Sequence, residues 1–250
     1  MRITGLKYSI DDRVFCDNIG YAFEKGMLYG ILCQSEEEAS IFLKILAGIY
    51  TPDSGTVTID DLSVHTIDSR IISQLKRKSA FVFERLGLIS NLSIQENLLL
   101  PYNYVFPEIP LADKLSKIME YFSYFSIPES LLRERPARLN AQYYKLIIII
   151  RAYIIDPDII IYDMPFTDLE VGAKKKLIEE ITRIREKGET TQVFYSNNDI
   201  LFDRADRGII LHKGNFVCEG PWEDLIMIED ELVRKIVTNY LSIGLNETEI

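Results

Sequence analysis

The chain has 250 residues, a net charge of −10, 47% hydrophobic residues and 26% charged residues. That size and balance predict a globular protein with a substantial core, built as one large domain or two small ones. The negative charge argues against a nucleic-acid or anionic-membrane partner, which needs clustered Lys and Arg. Three cysteines and two histidines fall at spacings that suggest neither a metal centre nor a disulfide framework.

Met1 leads directly into strand-like alternation, so no signal peptide is expected and the chain is expected in the cytoplasm. The first 25 residues predict two strands, one carrying Tyr8 and the other Val14, Phe15 and Ile19 to Phe23. Met27 to Cys33 is an apolar run suited to a buried strand. Ala39 to Ala47 places Ile41, Phe42, Ile45 and Leu46 at helical spacing and stops at Gly48.

Between strand and helix stands Cys33-Gln34-Ser35-Glu36-Glu37-Glu38-Ala39-Ser40, in the place where a phosphate-binding loop would lie. Such loops use glycines so that backbone N–H groups approach phosphate, a lysine on the outer phosphates and a hydroxyl on magnesium. Only the hydroxyl is present, as Ser40. Ser35 and Glu38 fit a reciprocal capping box, and Glu36 and Glu37 add charge that the helix dipole favours. A phosphate charge about 5 Å from one carboxylate is repelled by about 3 kcal/mol at an effective dielectric near 20, before solvent weakens it.

Thr51-Pro52-Asp53-Ser54-Gly55 predicts a turn and Thr56 to Ile59 a short strand. Ala80 to Phe83 reads as a central strand. Ser93-Ile94-Gln95-Glu96 reads as a capping box opening a helix that Pro101 ends. From about 84 to 155 the pattern is helical, with pieces at Leu111 to Phe125 and Pro128 to Glu134, and predicts a helical subdomain. The apolar run Leu146 to Ile155 is interrupted by Arg151 and is too short to span a bilayer.

Alternation then returns: strand Ile159 to Asp163, helix Leu169 to Lys187, strands Gln192 to Ser196, Gly208 to His212 and Asn215 to Glu219, and helices from Trp222 and from Glu229 to Ile243. The polar end beyond Leu241 is expected to be loose. Strands alternating with helices predict a P-loop-type, mostly parallel α/β sheet with helices on both faces, flanked by an antiparallel β segment.

In order and spacing, the chain resembles the ATP-binding subunit of ABC transporters over nearly its whole length. The resemblance rests on Leu46-Ala47-Gly48 with Thr51-Pro52-Asp53-Ser54-Gly55-Thr56-Val57, on Glu96-Asn97, Arg151-Ala152, Asp156-Pro157 and Asp163-Met164-Pro165, and on Ala205-Asp206-Arg207 before Leu211-His212-Lys213-Gly214. It implies a single nucleotide-binding-domain fold over 1–250.

The resemblance also places the family's functional positions. Its first-motif glycines fall on Cys33, Glu36 and Glu38, its lysine on Ala39 and its magnesium-binding hydroxyl on Ser40. The glutamine that senses magnesium and the membrane partner falls on Glu84. The signature segment falls on Leu139-Asn140-Ala141-Gln142-Tyr143, where Asn140 can cap a helix but mimics the family serine poorly. Asp163 is kept, the catalytic glutamate has become Met164, the switch histidine Asn197, and the aspartate of the dimer-contact loop Glu170. A thioether cannot take a proton from water.

The resemblance therefore implies a catalytically degenerate subunit that docks on a membrane-embedded transporter partner as scaffold or regulator, peripheral on the inner face of the cell membrane. The docking region would contain Glu84, Arg85, Leu88, Tyr102 and Tyr104. No catalytic residue, resident metal or cofactor is expected; weak residual contact with ATP and magnesium would fall on Ser40 and Asp163, with Tyr8 stacking on the base. Leu86 to Pro101 looks most like subunits that drive lipid or lipoprotein trafficking. Three alternatives stay open: a homodimer, the degenerate half of a heterodimeric ATPase, and a divalent cation gathered by Glu36, Glu37, Glu38 and Asp163.

Overall fold

The computed structural model describes residues 1–84, 87–196 and 199–247, and the side chains of all of these except 199, 200 and 241–247. Arg85 and Asn197 lie outside the described residues.

The chain opens with the strands β1 (Arg2–Ile10) and β2 (Arg13–Ala22), and then enters β3 (Leu28–Leu32). β3 is buried at every position, as its unbroken apolar run predicts. Helix α1 (Glu36–Leu46) follows, then β4 (Ser54–Ile59), β5 (Leu62–Ser63), α2 (Ser69–Lys78) and β6 (Ser79–Val82). The next stretch is helical: α3 (Ile94–Val105), α4 (Leu111–Tyr124), two 3-10 turns at Glu129–Arg133 and Pro136–Arg138, and α5 (Ala141–Tyr153). The chain then forms β7 (Ile159–Asp163), α6 (Val171–Lys187), β8 (Thr191–Tyr195), a 3-10 turn at Asp199–Arg204, β9 (Arg207–His212), β10 (Asn215–Gly220), α7 (Trp222–Met227) and α8 (Glu231–Glu247).

Two sheets result. The larger has six strands in the order β10-β9-β3-β8-β7-β6. Its pairings are parallel except for the hairpin β9–β10. The smaller is antiparallel, in the order β2-β1-β4-β5, and is the expected β flank. The core runs through β3, β7 and β8 and is sealed by α5, whose Leu146 to Ile150 are all buried. Gly30 in the middle of β3 has no side chain because the ring of Phe202 lies where one would go, 2.4 Å from an added Cβ.

Two local expectations change. Pro101 does not end α3 but lies inside it. Proline costs the helix one bond there, but Tyr102 and Val105 beyond it are buried in apolar packing, and that burial carries the helix on. The Ser93–Glu96 capping box forms as expected. The strand at Ala80 lies at the sheet edge rather than its centre, since β6 pairs only with β7 among the described strands. Its apolar character comes from α5, which packs against it. Among the described residues, no helix is long and apolar enough to cross a membrane.

Candidate functional site

Parallel strands open their C-terminal ends onto a crevice where ligands bind in folds of this kind. Here β3 and β7 deliver the β3–α1 loop and Asp163 to one cleft of about 400 Å³, bounded by Ile10, Glu36, Glu37, Ser40, Lys44, Glu84, Asp163, Met164 and Tyr195 among others. The structure thus brings together Glu36, Ser40, Glu84, Asp163 and Met164 from the positions picked out in the sequence.

At the floor, Ser40 Oγ donates to Asp163 Oδ2 at 2.7 Å. Asp163 is 3% exposed. Burial pushes its carboxyl above the usual carboxylate range, the Ser40 hydroxyl and the Lys44 charge pull it back, and Glu84 adds to the rise. Beside it, Met164 has φ +50, a region that side chains rarely occupy, and its N–H donates to Tyr195 O at 3.0 Å.

The three glutamates of the loop separate. Glu36 and Glu37 are exposed; Glu37 pairs with Arg13 at 2.8 Å, with both side chains more than half exposed. Glu38 is buried and turns away from the cleft, where its Oε1 accepts the Gly214 N–H at 2.8 Å. The expected capping box is therefore only half formed. Ser35 Oγ accepts the Glu38 N–H at 3.3 Å, but the Glu38 carboxylate takes the hairpin amide rather than its own N-cap. Ala39 is fully buried in the core and presents nothing to the cleft.

Asn140 does not reach this cleft. It caps α5, accepting the Tyr143 N–H at 2.8 Å, while Gln142 Oε1 accepts the Glu170 N–H at 2.8 Å. Of the expected docking residues, Glu84 and Leu88 are half-buried and Tyr104 is exposed. Tyr102 is corrected: it is 4% exposed, with its ring against Phe106 and beneath the ammonium groups of Lys114 and Lys117. An aromatic at a buried helix position belongs to the core, and Tyr102 offers no surface.

Two lysines not picked out in the sequence support the site, Lys44 lining the cleft and Lys145 buried outside its lining. Lys44, one helical turn beyond Ser40, brings a cation to it and lies 5.9 Å from the Tyr50 ring centroid. Tyr50 stacks in turn on Tyr8 at 6.1 Å. The i, i+4 spacing from Ser40 was the available signal for Lys44. Lys145, 1% exposed, donates from Nζ to Phe83 O and Glu84 O, both at 2.7 Å, and so fixes the strand end that carries Glu84. Among the described residues, no group of three or more His, Cys, Asp or Glu is placed to hold a metal ion.

A mixed sheet with a helix rising from the β3 loop, a Ser–Asp pair beneath it and an antiparallel flank defines the architecture of an ATP-binding cassette. The family model described as ABC transporter matches residues 16–167, and the chain belongs to that family. Its relatives include the glucose import ATP-binding protein GlcV of Saccharolobus solfataricus, 26% identical, covering 85% of this chain and 60% of that protein. A methionine import ATP-binding protein, MetN of Mesorhizobium japonicum, is 24% identical over 95% of this chain and 65% of its own length. The intermembrane phospholipid transport ATP-binding protein MlaF of Haemophilus influenzae is 21% identical over 92% and 87%. The chain thus spans 60–65% of the length of the first two. Among solved structures, the ATP binding subunit of an ABC transporter superposes with a TM-score of 0.81 at 18% identity, covering 98% of each chain. A dimeric ATP-binding cassette bound to ADP and Pi superposes at 0.79 with 21% identity, covering 88% of this chain and 97% of that one.

Proposed function

We propose that the chain is a catalytically degenerate ABC-type ATP-binding-domain subunit that docks on a membrane-embedded transporter partner, as scaffold or regulator, at the inner face of the cell membrane. The observation that carries this reading is the makeup of the cleft. Its acidic groups are Glu36, Glu37, Glu84 and Asp163, against Lys44 as the cation among its lining residues. Each carboxylate about 5 Å from a phosphate opposes it by about 3 kcal/mol at an effective dielectric near 20, less where solvent reaches. Magnesium triphosphate does not fit this donor set. Ala39 is buried where the family has its lysine, and Met164 stands where the family has a carboxylate that orients water. Phosphoryl transfer depends on positioning and charge stabilisation, and in this reading both are lost.

Support for a transport role in lipid or lipoprotein trafficking comes from the likeness to the phospholipid system's ATP-binding protein, which this chain matches over most of both lengths. On this reading the exposed Tyr104 and the half-buried Glu84 and Leu88 contribute to the docking face, with Arg85 beside them in sequence.

The test is ATP hydrolysis by the purified chain, alone and with any membrane protein that co-purifies with it. The reading expects no turnover above buffer in either sample and a membrane protein retained on the column. Turnover lost on Asp163→Asn substitution would overturn it. A second reading, the degenerate half of a heterodimeric ATPase, is favoured by the intact Asn140 cap and the Gln142–Glu170 bond, which hold the signature segment in order. It expects turnover only when an active cassette is added, slowed by Asn140→Ala.

A further inference from the structure

The last described helix reaches the β3–α1 loop. α8 buries Val233, Ile236, Val237 and Tyr240, a single stripe at helical spacing, while Glu231, Arg234, Lys235 and Thr238 between them are exposed. Tyr240 stands with its ring edge-on to Phe202 at 5.1 Å. Its hydroxyl accepts the Cys33 N–H at 3.1 Å and donates to Cys33 O at 3.3 Å. One side chain from α8 therefore satisfies both backbone groups of the residue that opens the loop, 207 positions away. The Tyr240 hydroxyl also interacts with that of Tyr195, which lines the cleft and whose carbonyl holds Met164 N–H.

We propose that α8 is a conformational latch on the cleft. Seated, its Tyr240 hydroxyl closes the Cys33 backbone and braces the two strand ends, β3 and β8, that carry the cleft walls. Released, it returns the Cys33 amide to the loop, so that the order of the β3–α1 loop and the seating of α8 are coupled, each biasing the other by the same free energy. A helix near the end of the chain that seats through an apolar stripe and a tyrosine hydroxyl is the kind of element that opens below the free energy of global unfolding. Whether the cleft accepts nucleotide does not enter this inference, because the contact is between protein groups only.

The test is native-state hydrogen exchange on the full chain, read with the rate of Cys33 alkylation by iodoacetamide. Cys33 is a free, buried thiol that donates to Ser35 O, and Cys218, free and half-buried on β10, is the internal control. Tyr240→Phe keeps the ring and removes the hydroxyl. The proposal expects exchange at Cys33 to Ser35 and alkylation of Cys33 to rise about tenfold, the scale of one to two hydrogen bonds lost, with β7 amides and Cys218 unchanged. Unaltered loop exchange, or equal acceleration across β7 and the loop, would overturn it. In the unsubstituted chain, amides of α8 and of residues 33–36 should open together under mild denaturant, ahead of β7. If the loop opens only with β7, the latch does not exist.

Discussion

Glu38 Oε1 accepts the backbone N–H of Gly214 at 2.8 Å, joining the first turn of α1 to the β9–β10 turn across 176 residues of sequence. The bond is buried, and Lys213 beside it adopts φ +48 and Gly214 φ +76, so the carboxylate satisfies an amide in a turn that cannot easily rearrange. A buried N–H left without its acceptor costs about 1–3 kcal/mol. Glu38→Ala should lower unfolding stability by about that amount, and Glu38→Gln, whose carbonyl can still accept, by clearly less. Urea denaturation of the two variants measures the difference, and equal losses would show that the bond does not act as described.

Lys145 carries the opposite charge in a similar setting. Its ammonium is buried and holds Phe83 O and Glu84 O, so Lys145→Met would strand two carbonyls while keeping most of the packing. A loss of about 2–3 kcal/mol is expected. Hydrogen exchange should also quicken at the end of β6 and at Glu84 more than in β7, which separates a local release from general weakening.

Asp163 gives the cleft a pH dependence. Burial raises its carboxyl in the folded chain, so the folded state resists ionisation more than the unfolded one. The resulting penalty is absent below the ordinary carboxylate value, where both states are protonated, and fully present above the raised one. Asp163→Asn, which retains an acceptor for Ser40, removes it. Stability of the variant relative to the parent should therefore rise as the pH climbs from the ordinary carboxylate value to the raised one and level off above it. A constant difference across that range in denaturation experiments would contradict the assignment.

Much of the scaffold could be read from local pattern. The run Ile159 to Asp163 became β7 at the same residues, because a continuous apolar run closed by one acid fits only a buried strand opening onto a crevice. Ser40 and Asp163, 123 positions apart and both marked by the family resemblance, meet in a hydrogen bond. What escaped the sequence depended on long-range contact. The fate of Glu38 was decided by Gly214, so local capping rules misassigned its carboxylate. Pro101 was read as a stop because the burial of Tyr102 and Val105 beyond it is a tertiary fact. That same burial withdrew Tyr102 from the expected docking face. Lys44 lies outside the motif positions, and only its spacing of four from Ser40 marks it as belonging to the cleft side of α1.

With Glu38 withdrawn, the exclusion of nucleotide that we propose rests on Glu36, Glu37 and the absent lysine rather than on three acids in one turn. The most direct measurement is isothermal titration of the purified full chain with magnesium ATP, in parallel with a Glu36→Gly, Glu37→Gly, Ala39→Lys variant. The account predicts no saturable heat for the parent chain up to about millimolar nucleotide, and measurable binding for the variant. Micromolar binding by the parent chain, weakened by Ser40→Ala, would contradict it.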